Sequence, residues 1–183
     1  MEILFKAVER GPMRGEEIIN KARKAKDDFG NVCPKKFAGS VAVEILRAAL
    51  NDEGIFTSPR DVFVRGIPLE VDLIIPFKNQ KPILGLLYEP KQVAVALEVK
   101  KSGTFGESAL EKIRSDFAQL QEAGINCAYI TFEERKNYRW RATNENLGFP
   151  CYTLAWHVKT DGPLELTQDW DRFVIFLRKV VTE

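Results

Sequence analysis

Apolar residues recur along this chain with two different periods, and the places where the period changes divide it into elements. The first thirty residues read as two helices, 3–10 and 16–28, separated by Gly11-Pro12 and closed by the break from Gly30 to Pro34. Over 36–51, Phe37, Val41, Ile45 and Ala48 return at helical spacing, and Gly54 supplies a stop. The period then becomes two. Segments 61–66 and 68–76 predict adjoining strands around a tight turn at Gly66, and 78–91, with Pro82, Gly85 and Pro90, reads as an excursion. The most regular strand follows over 92–103. Next come a helix over 107–123 with Leu110, Ile113, Phe117 and Leu120 on one side, a buried strand over 126–132 and a charged, aromatic stretch over 133–141. A strand over 151–156 and an amphipathic helix over 168–181 complete an α/β pattern without internal repeats.

Composition narrows the class without deciding the function. A chain of 183 residues, 45% hydrophobic and 29% charged, can bury one sizeable core and is not of the disordered or collagen type. No apolar run approaches the roughly 20 residues that span a bilayer, so no membrane partner is expected. The first residues do not form a secretory signal, and a cytoplasmic, intracellular location is the expectation. Cys33, Cys127 and Cys151 are odd in number and far apart, which argues against a disulfide framework or a zinc site and predicts reduced, structural thiols. The single histidine, His157, has no evident acid partner in sequence and reads as a strand-end residue. Net charge is only +1, but cations gather at Lys21, Arg23, Lys24 and Lys26, at Lys35 and Lys36, at Lys100 and Lys101, and at Arg135, Lys136, Arg139 and Arg141.

Alternation in the 92–103 strand separates Val93, Val95, Leu97 and Val99 from Ala94, Ala96, Glu98 and Lys100. On the second face a carboxylate and an ammonium emerge two residues apart from one rigid strand, a placement suited to metal-assisted phosphodiester cleavage. Glu98, helped by the Val99 carbonyl, can hold Mg²⁺ or Mn²⁺, and Lys100 can neutralise the attacked phosphate. In the preceding strand Glu70, Asp72 and Ile74 share a face. Asp72 stands among Val71, Leu73, Ile74 and Ile75, where a carboxylate needs a partner or a cation to offset its desolvation. A solvent-facing strand is the bland alternative.

The order Glu44 on a helix, Gly66, Asp72 on a strand, then Glu98-Val99-Lys100 late in an apolar strand resembles the PD-(D/E)xK nucleases, the restriction-endonuclease-like superfamily, over about residues 37–132. Val71 stands before the aspartate where that pattern has proline. The resemblance implies a central mixed sheet flanked by helices over 35–183, with 1–34 as an N-terminal helical extension. It also implies Glu44 as a further metal ligand or water-positioning group; a boundary glutamate paired with Arg47 or Lys36 is the alternative, and Glu70 a substitute. The expected partner is nucleic acid, DNA in the first place, contacted by Lys101, Arg139, Arg141, Lys35 and Lys36, and a homodimer is compatible with it. If the stretch around Tyr138 and Trp140 is extended, its aromatics and arginines alternate for stacking and phosphate contact. Three readings stand: a metal-dependent nuclease, a non-catalytic nucleic-acid-binding or assembly module of the same fold, and an unrelated α/β protein in which Asp72, Glu98 and Lys100 form a structural ion-pair network.

Overall fold

A computed structural model describes residues 11–32, 36–78, 80–103, 106–158 and 163–182, without the side chains of 11–13 and 36. The helix expected over 3–10, Cys33, Lys35 and the Lys36 side chain lie outside that description. Helix α1 spans Gly11–Phe29 and α2 spans Lys36–Asp52. Where the sequence suggested a break at Gly11-Pro12, α1 instead begins, because proline is tolerated in a first helical turn whose N–H groups have no intrahelical acceptor. After α2, Gly54 at φ +74° turns the chain, and the Ile55 N–H donates to the Leu50 carbonyl at 2.9 Å.

Three short strands follow: β1 (Val62–Val64), β2 (Ile67–Val71) and β3 (Leu73–Pro76). β2 and β3 were expected as one strand. They are separated by Asp72 and belong to different sheets, so the expected common face of Glu70, Asp72 and Ile74 is broken. Glu70 is exposed on β2 opposite Phe63, and Ile74 is fully buried. The excursion contributes β4 (Leu87–Tyr88). Then come β5 (Val93–Gly103), α3 (Glu107–Glu122), β6 (Asn126–Arg135), a single turn of helix α4 (Asn144–Leu147), β7 (Cys151–His157), β8 (Leu164–Leu166) and α5 (Asp169–Thr182).

The large sheet runs β3-β5-β6-β7-β8 and the small one β2-β1-β4. β5, β6 and β7 are parallel neighbours, β3 and β8 lie antiparallel at the edges, and the small sheet is also mixed, with β1 antiparallel to β2 and parallel to β4. Helices cover both faces of the large sheet, which makes its central strands apolar on both sides. One core joins α1, α2 and α5 to Val95, Leu97, Val99, Ile130 and Phe132; the other joins α3 and the small sheet to Ala96, Cys127 and Tyr129. Leu46, Leu97, Phe132 and Phe173 are fully buried, each worth about 1.5–3 kcal/mol relative to exposure. α1, read as part of an extension, contributes Ile18, Ile19 and Ala22 to the first core. The alternation expected for β5 holds from Val95 onward but is interrupted before it. An irregularity in the β3–β5 register at Ile75/Pro76 puts Val93 with the second core and Ala94 with the first. Among the described residues, no helix is long and apolar enough to cross a membrane.

Candidate active site

The site forms where β3 stops. Leu73, the first residue of β3, pairs with Leu97, so beyond that point the facing edge of β5 has no strand partner. The Val99 N–H points to that edge and donates to Asp72 Oδ2 at 2.8 Å. Asp72 is thus held twice, because its backbone carbonyl also accepts from the Asp61 N–H at 3.2 Å, at the junction of the two sheets. In an extended strand a residue's carbonyl points the same way as its N–H. The Val99 carbonyl therefore lies on the edge that the Asp72 carboxylate occupies.

Glu98 and Lys100 flank Val99 on the face toward α3. The Lys100 ammonium contacts Glu98 Oε1 directly and lies 3.8 Å from Asp72 Oδ2, so the three charges form one cluster. Their side chains keep 28% (Asp72), 21% (Glu98) and 36% (Lys100) of their surface, withdrawn from bulk water yet open to a ligand. Burial raises the Glu98 pKa and the neighbouring Asp72 charge raises it further, against the opposing pull of Lys100 and of Lys112 on α3. Burial penalises the Lys100 ammonium, but the Glu98 and Asp72 carboxylates outweigh that and leave its pKa above the ordinary lysine value. Two carboxylates and a backbone carbonyl on one edge are a hard-oxygen donor set of the kind Mg²⁺ or Mn²⁺ takes, with waters completing the shell. Among the described residues no three of His, Cys, Asp and Glu come together as a metal cluster, and none is required for such an ion.

Neither a family model nor a curated protein matches the sequence. Solved structures do match in three dimensions. NucC of P. aeruginosa ATCC27853, in its cAAA-bound form, is 12% identical with a TM-score of 0.62, covering 93% of this chain and 87% of that one. NucC of E. coli MS115-1 gives 11% identity and a TM-score of 0.63 in its cAAA-bound form, over 92% of this chain and 88% of that one. Its apo form gives 10% and 0.51, over 91% and 89%. This chain has the restriction-endonuclease-like fold. At such identities the likeness is one of fold.

The other residues singled out in the sequence sit at varying removes from this cluster. Glu44, nearly half exposed on α2, is engaged by Arg47 at 2.9 Å, the alternative its sequence position left open. Lys101 lies on the opposite face of β5 from Lys100, among Glu133, Lys26, Arg23 and Asp27, and burial holds its pKa below the ordinary value. The Tyr138–Arg141 segment is not extended. It turns, with the Arg141 N–H donating to the Tyr138 carbonyl at 3.3 Å, and its guanidinium groups stack within the chain, Arg139 at 4.6 Å from the Trp140 ring centre and Arg141 at 5.4 Å from that of Trp156. His157 has an acid partner after all: Nε2 lies 3.0 Å from Glu133 Oε2, brought there by the β6–β7 pairing. Burial would raise the Glu133 pKa, but Arg23, at 2.7 Å, and His157 hold it below the ordinary value. Burial pushes the Cys127 and Cys151 thiols up to about 12, as inert structural cysteines require.

Two further residues carried little sequence signal. Lys112 is an exposed α3 lysine whose ammonium pairs with Asp116 and whose charge still reaches Glu98. Glu134, only 1% exposed at the end of β6, accepts from the Ala142 N–H at 3.2 Å and from the Thr153 hydroxyl at 3.3 Å. Burial pushes its pKa up to about 7 despite those two donors and the Arg141 charge.

Proposed function

We propose that this protein is a divalent-metal-dependent nuclease that hydrolyses phosphodiester bonds, in DNA in the first place. The observation that carries the reading is the convergence of Asp72, Glu98 and Lys100 on the edge of β5 that β3 leaves open, within the restriction-endonuclease-like fold. Asp72, Glu98 and the Val99 carbonyl would hold Mg²⁺ or Mn²⁺. Bound there, the ion would polarise the phosphodiester and lower the pKa of a water molecule. The Val99 N–H fixes the Asp72 carboxylate in its orientation before any ligand arrives, which spares reorganisation at the moment of reaction. The Lys100 ammonium, kept charged by its two acidic neighbours, stabilises negative charge gathering on an attacked phosphate. Incubation with labelled linear, single-stranded and branched DNA should give cleavage with Mg²⁺ or Mn²⁺ and none with chelator. Absence of cleavage of every substrate, or cleavage indifferent to chelator, would contradict the proposal.

A second binding role rests on a separate cavity of about 650 Å³ between the end of α2, β3 and α5. Phe56 and Phe77 line it with Ile75, Leu177 and Val181; Lys78 and Lys81 add positive charge, while Arg178 is paired at 3.1 Å with Glu53 of the same wall. Aromatic faces beside cations suit a nucleotide's base and phosphate. The cAAA-bound neighbours support a nucleotide ligand of that kind for this chain. A cAAA-dependent rise in melting temperature, lost in Phe77→Ala, is the expected result; no shift with any adenine nucleotide would exclude it.

A further inference from the structure

The small sheet ends in an exposed apolar turn that neither core uses. Between the excursion's start and β4, Ile83, Leu84 and Leu86 are exposed, Leu84 to 96%, and Phe63 beside them on β1 is 40% exposed. The turn is well formed, with the Ile83 and Leu87 N–H and carbonyl groups bonded to each other at 2.7 and 3.0 Å. Its tip is strained: Leu84 has φ +51°, a region unfavourable for a residue with a Cβ. Among the described residues only one other non-glycine residue has a positive φ, Asp61 at +56°.

Topology places these two together. β4 runs parallel to β1, so the residues leading into β4, the turn, lie at the same end of the small sheet as those leading into β1, Arg60 and Asp61. β2 is antiparallel to β1 and leaves the sheet at that same end, directly into Asp72. The Phe63 N–H donates to the Leu86 carbonyl at 2.9 Å and the Asp61 N–H to the Asp72 carbonyl at 3.2 Å, two residues apart along the chain. The apolar turn therefore rises from the rim of the candidate active site. Lys81 leads into the turn, and segment 78–91 as a whole carries Lys78, Lys81 and Lys91 against one acid, Glu89, tied to Arg65 at 3.1 Å; Lys78 and Lys81 also line the cavity beside Phe77, and the Lys81 carbonyl accepts from Gln92 Nε2 at 3.1 Å.

An exposed, strained, apolar tip on a basic arm beside a phosphodiester-cleaving centre has the chemistry of a side chain that enters a base stack, where leucine, isoleucine or phenylalanine unstacks one step while cations hold the flanking phosphates. We infer that the Ile83–Leu86 turn is a wedge that inserts Leu84 between base pairs of duplex DNA next to the bond being cut. Insertion deforms the duplex at the site and brings the phosphate toward Asp72, Glu98 and Lys100. This deepens the nuclease reading and rests on it for the substrate.

The test compares wild type with Leu84→Gly and Leu84→Met on duplexes carrying 2-aminopurine at the cleavage region, one fully paired and one with a mismatch there. Glycine relieves the positive φ, so the first variant keeps the fold, while methionine keeps an apolar tip. The expected result for Leu84→Gly is a loss of about tenfold or more in cleavage of the paired duplex, little loss on the mismatched duplex whose unstacking is already supplied, and no rise in 2-aminopurine fluorescence on binding. Leu84→Met should behave as wild type. Equal cleavage of the paired duplex by Leu84→Gly and wild type would overturn the wedge, as would an equal loss on both duplexes. A changed oligomeric state with unchanged fluorescence would also overturn it and would make the turn a contact between copies. If wild type cut no nucleic acid, the nuclease reading would fail. The fluorescence comparison would still decide the wedge, a wild-type rise absent from Leu84→Gly supporting it and equal signals or no binding refuting it.

Discussion

Replacing Glu134 by glutamine removes a charge that the fold tolerates poorly. The carboxyl is 1% exposed, its donors are one backbone N–H and one hydroxyl, and its pKa lies near 7 where an unfolded glutamate has about 4.5. Because the folded pKa is the higher one, the folded state binds more protons between those values, and stability falls as pH rises from about 4.5 through about 7. A displacement of that size corresponds to about 3 kcal/mol once the group is fully ionised. Glutamine keeps an oxygen for the Ala142 N–H and never ionises. Urea unfolding of both proteins at pH 4, 6 and 8.5 should give nearly equal stability at the lowest pH and an advantage to Glu134→Gln of up to about 3 kcal/mol at the highest. A difference independent of pH, or a variant less stable than wild type at pH 8.5, would refute the reasoning and show that the carboxylate is ionised and held by Arg141.

The opposite sign is expected at Glu133. Its depressed pKa contributes stability above the ordinary carboxylate range that is lost as pH falls through the folded value, so Arg23→Ala should cost about 1 kcal/mol near neutrality and progressively less as the medium is acidified below that range, read by thermal or urea unfolding. At the candidate metal site, Asp72→Asn should weaken Mn²⁺ binding on the order of tenfold or more by titration calorimetry, and equal affinity in both proteins would exclude Asp72 as a ligand.

The large elements were legible because their periods are strong. α2, α3, β5 and α5 fall within a residue or two of the sequence reading, and the stripe Leu110, Ile113, Phe117 and Leu120 is the buried face of α3. So was the pairing of Glu98 with Lys100, since a period of two puts them on one face. The division at Asp72 was not legible. Val71 before the aspartate and Leu73, Ile74 and Ile75 after it continue an apolar strand pattern, and only the change of sheet, with the Val99 N–H donating to the carboxylate, shows that the strand ends there. β4 and β8, of two and three residues, are too short to carry a period. The Arg23–Glu133–His157 cluster joins residues up to 134 positions apart across α1, β6 and β7, which no local pattern encodes. Glu134 was hidden for a related reason: nothing in a strand ending Glu-Glu-Arg tells that both glutamates are buried, or that Glu133 meets Arg23 and His157 while Glu134 accepts only from the Ala142 N–H and the Thr153 hydroxyl.

The nuclease account stands most directly on Lys100. Rates of Mg²⁺- or Mn²⁺-dependent DNA cleavage should be measured for wild type, Lys100→Ala and Lys101→Ala, with DNA affinity and melting temperature recorded for each. Lys101, on the other face of β5, is the control. The account predicts that Lys100→Ala loses on the order of 10²–10³ in rate with DNA binding nearly unchanged, while Lys101→Ala cuts as wild type does. Equal cleavage by the two variants, or no cleavage by wild type with either metal, would contradict it.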